Sequence, residues 1–126
     1  MQSKPRLVTN NIHPEAGKAR VLCSIDDLVP DSGVCALLDG IQIALFYLPD
    51  CDPPLYALGN YDPIGAANVL SRGIVGDVRG ELVVASPLYK QHYALRSGTC
   101  LEDAHVSVPV YPVTLRNGLV YCDTTV

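Results

Sequence analysis

The chain has 126 residues, nine of them basic and 13 acidic, for a formal net charge of −4. That length fits a single domain burying roughly two-thirds of its unfolded surface, and basic residues spread singly give no stripe for nucleic acid. No apolar run approaches the roughly 20 residues of a membrane helix, and MQSKPRLVTNNIHPEAGKAR has no signal-peptide core, so a soluble, cytoplasmic protein is expected.

Residues 1–18 are polar and unpatterned and read as a flexible tail, which leaves 19–126 as one domain. ARVLCSI is a first strand, and IDDLVPDSG a turn or one loose helical turn. VCALL and IQIALFYL flank Asp39-Gly40, a hairpin signal because both central residues of a type I′ turn need positive φ. LPDCDPP is a loop and LYAL a short strand. Residues 60–80, NYDPIGAANVLSRGIVGDVRG, hold no sustained period and read as a long loop with at most one short strand, a feature often tied to function. ELVVAS and KQHYALRS form the next hairpin-like pair, broken at Pro87 and closed by Ser97-Gly98. VSVPVYPVTL and LVYC flank Arg116-Asn117-Gly118, another turn, and Pro109 and Pro112 mark an edge or bulged strand. Short strands at close spacing with turns between them predict an all-β antiparallel sandwich or barrel.

Chemistry-bearing residues are sparse. Cys23, Cys35, Cys51, Cys100 and Cys122 are odd in number and form no CxxC pair, so they read as buried, reduced thiols. His92 reads as a satisfied strand histidine. Cys100, Asp103 and His105 match no common zinc spacing. Asp26-Asp27 and Glu102-Asp103 read as solvated turn residues. No GxSxG, phosphate-binding glycine loop or HExxH occurs.

From residue 80 to 101 the phrase "strand, Pro-Leu, strand, Ser-Gly, Cys-Leu" resembles Rieske-type domains. In those, two loops of a small β domain hold a [2Fe-2S] cluster through Cys-x-His and Cys-x-x-His. YALGNYDPIGAANVLSRG stands in place of the first loop and VVASPLYKQHYALRSGTCLED in place of the second. The four ligand positions then fall on Asn60, Asp62, Ser86 and Tyr89, which offer neither thiolate nor imidazole. The resemblance implies a cofactor site that has lost its cofactor.

Residues 21–120 as a whole resemble the small subunit of assimilatory NAD(P)H-dependent nitrite reductase, the NirD family. DLVPDSGVCALLDGIQIALF, GNYDPIGAANVLSRGIVGD, ELVVASPLYKQHYAL and SGTCLED with VSVPVYP carry the resemblance. It implies a Rieske-like sandwich or barrel with two long loops at one tip and no metal or cluster in this chain. It also implies a large catalytic subunit bearing siroheme, a [4Fe-4S] cluster and FAD, which reduces nitrite to ammonium in nitrate assimilation. By itself this chain would not catalyse. Tyr61, Pro63, Ile64, Pro87, Leu88 and Tyr89 would then form the tip, bordered by Asp62, Arg72 and Lys90. Apolar side chains rimmed by charge suit a protein contact, while Tyr61 and Tyr89 could instead fold back into the space of the missing cluster. The alternatives are a Rieske-type electron carrier whose cluster uses unexpected ligands and a small-ligand binder using residues 60–80.

Overall fold

The computed structural model describes residues 19–123, so the tail expected over residues 1–18 lies outside the described region. Strands β1 (Ala19–Ser24), β2 (Ser32–Leu38), β3 (Ile41–Tyr47) and β4 (Leu55–Gly59) come first. The short pair β5 (Tyr61–Asp62) and β6 (Ala67–Asn68) follows, then β7 (Ile74–Val78), β8 (Glu81–Ala85) and β9 (His92–Ala94). The chain closes with β10 (Val110–Tyr111), β11 (Val113–Arg116) and β12 (Leu119–Asp123). Among the described residues the only helical pieces are 3-10 turns at Ile25–Asp27 and Leu70–Arg72. The all-β expectation holds, and every strand pair is antiparallel.

Three two-residue turns fix the registers. Asp39 and Gly40 sit at φ 52° and 81°, and Asn117 and Gly118 at φ 52° and 78°, the geometry their sequences predict. A third turn of the same kind, Arg79-Gly80 at φ 52° and 86°, joins β7 to β8. Sequence reasoning passed over it because arginine is not a residue that favours the left-handed region. The Asp77 carboxylate, which accepts from Gly80 N at 2.7 Å, supports the turn.

The central sheet runs β10-β4-β3-β2, with β1-β12-β11 on one face and β7-β8-β9 on the other. That placement explains why β3 and β4 are almost continuously apolar rather than alternating. Ile43, Leu45, Leu55 and Ala57 point into a core shared with Val120 and Cys122. Their neighbours Ala44, Phe46, Tyr56 and Leu58 point the other way, onto Leu70, Val84, Tyr93 and Leu95. Pro109 and Pro112 behave as expected. β10 and β11 are both edge strands, and the chain crosses from one sheet to the other at Pro112.

Two expectations need correcting. Residues 60–80 are not a long loop: they hold β5, β6, a 3-10 turn and all of β7. Their order comes from side-chain capping by Asn60 and Asp62, which leaves no hydrophobic period to read. KQHYALRS is strand only over His92–Ala94, because Lys90 N turns back to Ser86 O at 3.1 Å.

Candidate functional site

Residues 60–68 and 86–91 form two adjacent loops at one end of the sandwich, and the two are built alike. Asp62 accepts Ile64 N on its side chain at 3.0 Å and Ala66 N on its carbonyl at 2.7 Å. Ser86 accepts Leu88 N on its side chain at 3.3 Å and Lys90 N on its carbonyl at 3.1 Å. In each loop the fourth residue on takes the left-handed conformation, with Ala66 at φ 59° and Lys90 at φ 67°. Such a conformation costs on the order of 1 kcal/mol or more outside glycine and persists only where surrounding bonds hold it.

The two loops meet where Ser86 Oγ donates to Asp62 Oδ2 at 2.5 Å. Gln91 Nε2 donates to both carboxylate oxygens at 3.0 and 2.9 Å, and the Tyr93 hydroxyl donates to Oδ1 at 2.7 Å. Asp62, Ser86, Gln91 and Tyr93 are all buried. Burial pushes the Asp62 carboxyl upward, but the donors from Ser86, Tyr93, Gly65 N and Ile64 N outweigh it and hold it below the usual carboxylate range. Burial and the bond to Asp62 push the Tyr93 phenol up, so it remains a donor. Asn60 serves a separate purpose. Its side chain donates to Gln42 Oε1 at 3.0 Å and accepts Ser71 N at 2.7 Å, fastening the first loop to β3 and to the turn at Leu70–Arg72.

The structure thus brings Asp62 and Ser86 together, places Asn60 beside them in another network, and leaves Tyr89 out. Tyr61, Ile64, Leu88 and Tyr89 stand 50, 41, 44 and 70% exposed, so the two tyrosines do not fold back into the interior. Pro87 and Lys90 are exposed in the second loop. Arg72 is exposed two residues before Ile74, which pairs with Ala85, and so lies in line with the stretch after Ser86. Ile74 itself, 76% exposed on β7 opposite Ala85, was missed because residues 60–80 gave no strand signal. Gln91 and Tyr93 were also missed. Their alternation with Leu95 on one buried face was the available sign.

A Rieske-type cluster does not fit these side chains. An amide, a carboxylate, a hydroxyl and a phenol replace two thiolates and two imidazoles. Asp62 and Ser86 also touch directly, leaving no space for iron between them. Elsewhere, among the described residues, no three His, Cys, Asp or Glu side chains gather as a metal site. Asp103 turns back on His105 N at 3.0 Å. Glu102 is more than a solvated turn residue, since it accepts His92 N and pairs with the His92 ring, both at 2.7 Å. Cys35, expected to be buried, is exposed on edge strand β2; Cys100 and Cys122 are buried, and burial pushes the Cys23 thiol up to about 12.

A sandwich carrying two loops at one tip is the architecture of a Rieske-like domain, and the Rieske-like [2Fe-2S] domain family matches residues 20–123. The nitrite reductase (NADH) small subunit of Salmonella typhimurium is 46% identical over 99 residues, 79% of this chain and 91% of that one. The solution structure of Escherichia coli NirD superposes with a TM-score of 0.73 at 42% identity, over 82% of this chain and 96% of that one. The nitrite reductase [NAD(P)H] large subunit of Klebsiella oxytoca contains a segment 42% identical over 102 residues, 81% of this chain but 10% of that one. The chain belongs to the nitrite reductase small subunits, a family with the Rieske-like fold.

Proposed function

We propose that this chain is a cluster-free small subunit that docks, through its two-loop tip, on the large catalytic subunit of a cytoplasmic nitrite reductase. The large subunit would bear siroheme, a [4Fe-4S] cluster and FAD and would reduce nitrite to ammonium, while this chain supports or regulates it without reacting chemically. The observation that carries the reading is the hydrogen bond between Asp62 and Ser86, two of the four residues that stand at the cluster-ligand positions in the resemblance. Support for the partner comes from the relatives: several are small subunits by name, and in Klebsiella oxytoca a similar segment lies within a large-subunit chain. Exposed Tyr61, Ile64, Pro87 and Leu88, together with exposed Arg72 and Lys90, have the make-up of a contact surface. Among the described residues no helix is long and apolar enough to cross a membrane.

Protein made and purified anaerobically tests the cluster-free part. It should contain no stoichiometric iron or acid-labile sulfide and show no visible absorption. A coloured protein with two irons per chain would favour the electron-carrier reading, with ligands other than those at the tip.

A further inference from the structure

The repeated construction of the two loops has a mechanical consequence. In each loop the exposed apolar residue, Ile64 or Leu88, stands two positions after the buried polar one, and its own N–H is held by that residue's side chain. The two buried side chains are then bonded to each other. Gly65 adds a direct contact between the loops, since a Cβ there would lie 2.5 Å from Leu88 Cδ1 and 2.9 Å from Asp62 Oδ2. The position and spacing of Ile64 and Leu88 therefore depend chiefly on the Asp62–Ser86 joint, which is buried.

We infer that Asp62, acting with Ser86, is the positioning residue of the docking tip, holding Ile64 and Leu88 at the separation that the large subunit reads. This rests on the docking proposed above. Asp62 itself is buried, so it would act on a partner only through the geometry of the exposed pair. A preorganised surface avoids the ordering cost that flexible loops incur on binding. The left-handed residues Ala66 and Lys90 are part of the same device, because released loops would relax away from those conformations.

The test measures affinity for the isolated large subunit by calorimetry and amide hydrogen exchange by nuclear magnetic resonance on the full chain. The variants are Asp62→Asn, Ser86→Ala and Leu88→Asp. Asp62→Asn and Ser86→Ala are expected to bind roughly tenfold more weakly. They should also speed exchange at the Ile64 and Leu88 amides by more than at Val83 and Val84 in β8, whose protection should fall only by the loss of global stability measured by urea unfolding. A merely structural role would instead lower protection at Ile64 and Leu88 by no more than at Val83 and Val84, and that result would overturn the inference. Folded Asp62→Asn and Ser86→Ala proteins that bind like wild type would also overturn it. Should Asp62→Asn fail to fold, Ser86→Ala decides, since it leaves Ile64, Gln91 and Tyr93 on the carboxylate. Leu88→Asp separates the two readings: it should weaken binding and leave the Ile64 amide unchanged, whereas wild-type affinity would refute docking itself.

Discussion

A carboxylate removed from water is costly unless donors replace its hydration, and Asp62 has them from both loops and from β9. Its depressed pKa makes it a stabiliser at neutral pH. The sign follows from linkage: the contribution is present above the ordinary carboxylate value of 3.8 and is lost as pH falls through the lower folded value. Urea unfolding against pH should show wild-type stability dropping below about pH 4. Asp62→Asn should cost about 2–4 kcal/mol at pH 7 and flatten that drop. Asp39 and Glu102 are also depressed, the first chiefly by its bond to Arg20 and the second by the donors of His92 outweighing burial, but they titrate alike in both proteins and cancel in the difference. An identical acid profile in the two proteins would refute the role given to Asp62. At this scale the sequence located Asp62 and Ser86 only through spacing shared with Rieske loops. It could not reveal Gln91 and Tyr93 as their partners, because which strand face meets a loop is a tertiary fact. Tyr89 was drawn in by the same spacing, yet it stands exposed just before Lys90 in its left-handed turn.

Among the elements, β3 and β4 carry the greatest energetic weight because each faces two cores. Phe46→Ala should therefore destabilise by about 3–5 kcal/mol. Leu37→Ala, on neighbouring β2 but exposed, should stay within about 0.5 kcal/mol. Chemical denaturation of the two variants checks the contrast, and equal losses would mean that the layer order is wrong. The strands whose turns carry Asp-Gly or Asn-Gly were legible, since those residues tolerate positive φ. β7 was not, because Arg79-Gly80 gives a weaker signal and its burial pattern does not alternate cleanly. Capping by Asn60 and Asp62 orders the segment before β7, and capping of that kind leaves no period in the sequence.

For the molecule as a whole, the docking proposal puts two exposed cations, Arg72 and Lys90, at the rim of the tip on a chain of net charge −4. Rim cations of this kind steer a partner of opposite charge, and central apolar side chains supply much of the affinity. The most direct test is calorimetry of the wild-type chain and of Leu88→Asp combined with Arg72→Glu against the large nitrite reductase subunit, with circular dichroism as the folding control. Docking through the tip predicts a folded double variant whose affinity falls by about 2 kcal/mol or more, roughly thirtyfold. A folded double variant that binds as tightly as wild type would contradict it and place the interface elsewhere on the sandwich.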